Sequence, residues 1–380
     1  MQDIFKNFGI YLHVPFCAGG CDYCRFYKRT PTREMLENYA DAVEAEIALR
    51  QAQGGRIPTP QTMFWGGGTP SILSECDIER LRLAFEKNGL LPALEWTVEI
   101  APANATPRKL AALKDAGVSR ISMGVQSFDE KTLRTLGRRY SLKTTLEAVE
   151  RVADAGFPHF SIDLIFGADG QTEDQWLADI RKAAECPVDH ISAYCLEFES
   201  ATSCCGGRLN DSEYEQSERE GDFLEIAQTE LPKLGFAQYE ISNYAKAGGE
   251  CLHNLSTWNM AQWLGFGPAA ASQWRGRRMR NVPDFDGWLN GIKNRAPAEC
   301  DIVQLDDEEM FSSALIFGLR MNGGVDFGLL ERRFPNADSE KYRRTLAFLE
   351  SKNLLEIAGE RIKLTPNGRL VADAVAVELL

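Results

Sequence analysis

Ile10-Tyr11-Leu12-His13-Val14-Pro15-Phe16-Cys17-Ala18-Gly19-Gly20-Cys21-Asp22-Tyr23-Cys24 joins a short apolar run to three thiols on one loop, separated by three residues and then by two. The run reads as a buried strand. Thiolates this close, with two glycines that let the backbone fold back, are a donor set used for iron–sulfur clusters, and three of them on a four-iron cube leave one iron open for chemistry. Structural zinc is the alternative reading. It needs a fourth ligand, usually from a second Cys or His pair, whereas the other cysteines (76, 186, 195, 204, 205, 251 and 300) are scattered apart from the adjacent Cys204 and Cys205. A disulfide framework is not expected in a 380-residue chain with ample core and no secretory leader.

Outward from the loop, short β-branched or aromatic runs alternate with helical patterns. Ile10–Val14, Thr62–Trp65, Thr97–Ala101, Arg120–Val125, Phe160–Ile165 and His190–Leu196 read as six strands. Between them, Leu36, Tyr39, Val43 and Ile47 recur at helical spacing after Arg33. Leu110 and Leu113 before Gly117, and Leu146, Val149 and Val152 before Gly156, give two more helices with glycine stops. Strand and helix alternating at roughly 30 residues per unit predict a parallel sheet with right-handed crossovers. The fold class expected is α/β, a partial (βα)6 barrel with one open side, ahead of a doubly wound sheet. In either architecture the loops after the strands carry the chemistry. Cys17–Cys24 follows the first strand, Gly66-Gly67-Gly68-Thr69-Pro70-Ser71 the second, Glu99 ends the third, Gln126 the fourth, and Asp163 sits in the fifth.

Composition bounds the rest. With 44% hydrophobic and 26% charged residues and no apolar run near the ~20 residues of a membrane span, the chain reads as soluble and globular. A net charge of −13 argues against a nucleic-acid backbone as the main partner. Arg275-Gly276-Arg277-Arg278-Met279-Arg280 runs against that balance, either as a solvated loop or as a partner for an acidic ligand such as propionates. The triple glycine either eases packing or lets a small charged ligand approach the backbone. Glu99 and Asp163, in apolar strands, need either satisfied partners or a ligand.

In order along the chain, Tyr11-x-His13-x-Pro15-Phe16-Cys17-x3-Cys21-x-Tyr23-Cys24-x-Phe26, then Phe64-Trp65-Gly66-Gly67-Gly68-Thr69-Pro70-Ser71, Glu99, Arg120-Ile121-Ser122-Met123-Gly124-Val125-Gln126-Ser127-Phe128, Leu136-Gly137-Arg138 and Ile162-Asp163-Leu164-Ile165-Phe166-Gly167 resemble the radical S-adenosylmethionine (SAM) superfamily. Within it they resemble the anaerobic coproporphyrinogen III oxidase-like family, which includes the heme-chaperone HemW branch. The resemblance implies that Cys17, Cys21 and Cys24 ligate a 4Fe-4S cluster whose free iron takes the amino and carboxylate groups of S-adenosylmethionine. It implies cofactor contacts at Tyr11, Tyr23, Gly67, Gly68, Thr69, Glu99, Gln126, Arg138 and Asp163, with the Arg138 fork suited to a carboxylate. The oxidases resemble a pattern with a fourth cysteine where this chain has Phe26, and they carry a longer segment ahead of the loop than the ten residues before Tyr11. Both departures favour the HemW-like branch.

Cys251-Leu252-His253-Asn254-Leu255-Ser256-Thr257-Trp258 is similar to that branch's heme-binding HNxxYW motif, with Thr257 at its tyrosine, so His253 is a candidate heme ligand. A packing histidine is the alternative. Leu264–Ser272 is similar to the family's GPxAHS segment, with Ala271 at its histidine. The expected organisation is a radical SAM core over 1–235, a connecting segment over 236–295 carrying the HNLSTW motif, and a small, mainly helical, winged-helix-like C-terminal domain over 296–380. The function implied is a cytoplasmic heme chaperone that binds cluster, S-adenosylmethionine and heme and passes heme to client apo-hemoproteins, membrane-associated clients included, with an electron donor as a further partner. A radical decarboxylase of coproporphyrinogen III, or another radical enzyme acting on a tetrapyrrole, is the competing reading.

Overall fold

The computed structural model describes residues 8–19, 21, 24–196, 213–296 and 299–380. Six parallel strands form its centre: β1 (Phe8–Val14), β2 (Thr62–Gly67), β3 (Glu95–Ile100), β4 (Arg120–Gln126), β5 (His159–Phe166) and β6 (His190–Cys195), adjacent in that order. These are the six expected strands with ends shifted by a few residues. The crossover helices Arg33–Gly54, Glu75–Lys87, Pro107–Ala116, Leu142–Ala155 and Glu173–Glu185 open on Thr32, Ser74, Thr106, Ser141 and Thr172, whose side chains each accept a backbone N–H of the first turn. Such caps contribute about 1 kcal/mol apiece. Gly117 and Gly156 end two of these helices in the left-handed region.

Alternation along each strand divides the sheet into two chemically distinct faces. Ile10, Leu12 and Val14, Met63 and Trp65, Trp96 and Val98, Ile121 and Met123, Ile162 and Leu164, and Ile191 pack beneath the helices in one apolar core. Trp65 and Trp96 meet edge to face at 5.1 Å. The other face carries Tyr11, His13, Thr62, Phe64, Glu95, Thr97, Glu99, Arg120, Ser122, Ser161, Asp163, His190, Ser192 and Tyr194. It lines a polar lumen, as expected where strands serve a site rather than a second hydrophobic layer.

The segment after residue 235 extends the same sheet. β7 (Ala237–Glu240) and β8 (Asn243–Ala245) add antiparallel to β6. β9 (Gln262–Phe266) lies parallel to β1, followed outward by β10 (Ala271–Trp274), β11 (Arg277–Asn281) and β12 (Glu299–Gln304). The twelve strands run β12-β11-β10-β9-β1-β2-β3-β4-β5-β6-β8-β7, so β7 and β12 are edges and the wall is open. The arginine-rich stretch is therefore a hairpin: Arg275 and Gly276 form its turn, Arg278 donates to Gln273 and Arg280 pairs with Asp301.

Beyond β12, helices Asp307–Arg320, Phe327–Arg333 and Ser339–Ser351 pack with β13 (Val325–Asp326), β14 (Leu355–Ala358) and β15 (Arg361–Leu364) around a second apolar core. This is the helical C-terminal domain with a small antiparallel wing. It joins the barrel through Phe317, edge-on to Trp258 at 5.6 Å, and through Arg320 over the same indole. Among the described residues no helix is long and apolar enough to cross a membrane.

Candidate functional site

The cysteine loop leaves β1 at its carboxyl end and is pinched at its neck. Cys17 N donates to Arg29 O at 3.1 Å and Arg29 N to Pro15 O at 2.6 Å. Inside the neck, Cys24 N donates to Cys21 O at 3.2 Å, and Lys28 Nζ donates to Cys21 O at 2.6 Å and Cys24 O at 3.2 Å. Burial raises the Cys17 thiol pKa, Thr69 opposes, and Cys24 and Cys21 raise it further, so the three sulfurs act on one another. All three are free and partly exposed. Among the described residues no three His, Cys, Asp or Glu side chains close around a single ion; a four-iron cube holds its thiolates farther apart than one ion does. Tyr23 lies outside the described residues.

The glycine turn sits against this loop. Gly68 N donates to Val14 O and Thr69 N to Phe16 O, both at 2.8 Å. A β-carbon on Gly68 would stand 2.7 Å from Phe16 O, and one on Gly67, where φ is +102°, would collide with the His13 ring. Both glycines thus answer first to close packing on β1. That packing delivers Thr69 Oγ1 to 3.4 Å from Cys17 Sγ.

Deeper in the lumen, Asp163 accepts from Ser122 Oγ at 2.9 Å and Ser192 Oγ at 2.7 Å, with Ser161 Oγ at 3.5 Å. Burial raises its pKa and the three hydroxyls pull it back. Glu99 is pushed up to about 8 by burial and then by Asp163, while the Gly67 N–H favours its charged form. Tyr11 Oη bonds His13 Nδ1 at 3.0 Å, and its pKa is raised by burial, Glu99 and Cys24. Gln126 ends β4 at φ +71°, beyond a bulge after Gly124. Strain of that kind persists only where surroundings hold it; Tyr140 Oη does so by donating to Gly124 O at 2.9 Å and Val125 O at 3.3 Å. Arg138 lies beside the Tyr140 ring at 5.8 Å. Tyr11, Gly67, Gly68, Thr69, Glu99, Gln126, Arg138 and Asp163 therefore gather at the cysteine-loop end of the lumen. The serines, Tyr140 and Tyr194, whose pKa is raised by burial and then by Asp163, join them. Period-two spacing of polar residues in the strands is the signal that could have found the serines and Tyr194, whereas Tyr140 lies between two helices and carries no such mark.

His253 is at the other end. The Leu252–Trp258 helix crosses the amino ends of β1 and β2. His253 Nδ1 lies 2.9 Å from Thr62 Oγ1, and its ring meets Phe64 at 5.4 Å. The His253 backbone N–H donates to Glu95 Oε1 at 3.1 Å, and Cys251 Sγ donates to the same oxygen at 3.4 Å. Glu95 in turn pairs with buried Arg120 at 2.9 Å, and Arg120 donates to Glu250 O at 3.0 Å. His190 completes this floor between Ser161 Oγ at 2.7 Å and Tyr239 Oη at 2.8 Å. Burial lowers the His253 pKa to about 4, so its imidazole is neutral at pH 7.

A model described as the radical SAM superfamily matches residues 11–183, and one described as the HemN C-terminal domain matches 305–371. The heme chaperone HemW of Bacillus subtilis is 33% identical over 372 residues, spanning 96% of this chain and 97% of that one. That of Mycobacterium tuberculosis is 33% identical over 383 residues, spanning 99% and 95%. The solved coproporphyrinogen III oxidase HemN of Escherichia coli, a radical SAM enzyme, superposes with a TM-score of 0.84 over 100% of this chain and 91% of its own, at 21% identity, which speaks for the fold.

Proposed function

We propose that this chain, which belongs to the HemW family within the radical SAM superfamily, binds a 4Fe-4S cluster, S-adenosylmethionine and heme and delivers the heme to apo-hemoproteins. Cys17, Cys21 and Cys24 hold the cluster. Their convergence on one pinched loop, with Thr69 on Cys17, suits a thiolate donor set. When bound, the reduced cluster supplies one electron to the sulfonium of the cofactor. Around that cofactor Glu99, Asp163 and Gln126 accept or donate hydrogen bonds to hydroxyl and amino groups, and Arg138 offers a planar fork to a carboxylate. Gly67 and Gly68 keep the rim low, and Tyr11 is a further cofactor contact, as is Tyr23, which lies outside the described residues.

The heme reading is carried by the His253 ring. A neutral imidazole, held through Nδ1 by a threonine hydroxyl, would suit a ligand to the heme iron oriented by its neighbour. Thr257, at the motif's tyrosine position, donates to His253 O at 3.0 Å and keeps the helix turn closed. We divide the chain into a radical SAM core over 1–235, a connecting segment over 236–295 and a C-terminal domain over 296–380, and place it in the cytoplasm, where thiols stay reduced. Its partners are heme, client hemoproteins at or away from a membrane surface, and an electron donor.

The test is an anaerobic heme titration of the reconstituted protein and its His253→Ala variant, followed by incubation with dithionite, S-adenosylmethionine and coproporphyrinogen III. Saturable heme binding weakened in the variant, with coproporphyrinogen unchanged, is expected. Carbon dioxide and protoporphyrinogen would make the protein a decarboxylase, and equal heme affinity in the variant would remove His253 as ligand.

A further inference from the structure

We propose that Lys28 is a positioning residue of the cysteine loop, fixing the backbone at Cys21 and Cys24 and seating a cation against it. The proposal rests on the cluster reading above but concerns a residue outside the ligand set.

Lys28 immediately precedes the bridge that closes the loop's neck, so its backbone is anchored through Arg29 to β1. From there the side chain turns inward. A lysine that only packs lays its stem on apolar surface and keeps its ammonium in water, whereas here Nζ donates to two carbonyls, at 2.6 and 3.2 Å, both belonging to thiol-bearing residues. The two carbonyls thereby converge on one point, and the Cys24 N to Cys21 O turn is held from its carbonyl side as well. A compact ammonium with three rotatable donors can serve both carbonyls at once. The neighbouring Arg29 side chain is directed elsewhere, to Asp286 at 2.8 Å.

The charge has a second effect. The ammonium sits against the carbonyls of two thiol-bearing residues, and so places a positive charge beside the loop that carries the thiols. Net charge and hydrogen bonding around a thiolate-held cluster set its potential. A cation beside the loop favours the reduced, more negative state.

The experiment compares the wild-type chain with Lys28→Gln, Lys28→Arg and Lys28→Met after anaerobic reconstitution. It reads iron and sulfide per chain, and the midpoint potential by electron paramagnetic resonance during a dithionite titration. Lys28→Gln keeps an amide donor without charge. Its iron content should match the wild type, and at the wild-type midpoint its reduced-to-oxidised ratio should be about tenfold lower, equivalent to 59 mV for a one-electron couple. Lys28→Arg should restore the ratio, and Lys28→Met should also lose iron faster to a chelator. Wild-type potential and iron retention in both the Gln and Met variants would overturn the proposal alone. A wild-type chain that takes up no iron would overturn the cluster reading and the proposal with it.

Discussion

Glu95→Ala is expected to destabilise the fold by about 3–5 kcal/mol, the range for removing one member of a buried ion pair. Glu95 and Arg120 are 2% and 1% exposed, with Arg120 Nε 2.9 Å from Glu95 Oε2. Without the carboxylate, the guanidinium keeps its bond to Glu250 O, and its NH1 is already without a partner. Glu95 Oε1 also takes the His253 N–H and the Cys251 thiol, and a stranded buried donor costs about 1–3 kcal/mol. These losses overlap because they share one carboxylate, so the single range covers them. Urea unfolding of the apo protein under reductant, followed by tryptophan fluorescence and circular dichroism, measures the cost. A cycle with Arg120→Met isolates the pair: the double variant should recover much of the loss, since neither charge is then left alone. A single-variant loss below about 1 kcal/mol, the scale of an exposed pair, or strict additivity in the double variant, would refute a buried pair that holds the barrel floor.

Stability should also depend on two groups with opposite sign. The folded chain keeps a proton on Glu99 up to about pH 8, whereas an unperturbed carboxyl releases it near 4.5. Stability should therefore fall as pH rises through that window, and Glu99→Gln should flatten the slope in pH-dependent urea midpoints; an unchanged slope contradicts this. His253 titrates near 4 when folded against 6.5 when free, so stability should be lost as pH falls from 6.5 to 4, and His253→Gln should reduce that loss. Gly67→Ala, with φ at +102° and His13 in the path of a β-carbon, should cost roughly 1–3 kcal/mol and lower iron retention by displacing Thr69. Gly54→Ala, which meets nothing, is the control, and equal melting temperatures of the two variants would speak against the packing argument.

The six strands are legible because their helix-facing rows, such as Ile10, Leu12 and Val14 or Ile162 and Leu164, are unbroken apolar series and their helices carry capping residues. The start of β3 is less so. Glu95 looks like a loop residue until Arg120, 25 positions on, is seen to neutralise it in space. The sheet beyond residue 235 is hidden for a similar reason: arginines in β11 read as solvated, yet Gln273 and Asp301 on neighbouring strands receive two of them. The cysteine loop is visible because its ligands lie within eight residues. The hydroxyls around Asp163 come from 41 and 29 residues away, and Lys28 binds backbone carbonyls, which leave no mark on the sequence.

The most direct test of the central claim is heme transfer. Protein loaded with cluster, S-adenosylmethionine and heme would be mixed anaerobically with an apo-cytochrome b, and the acceptor's absorbance followed beside a parallel reaction in which a heme-scavenging apoprotein replaces it. Delivery predicts that the apo-cytochrome fills faster than the scavenger takes heme, in a concentration-dependent step. Equal rates for both, set only by heme dissociation, would contradict a chaperone.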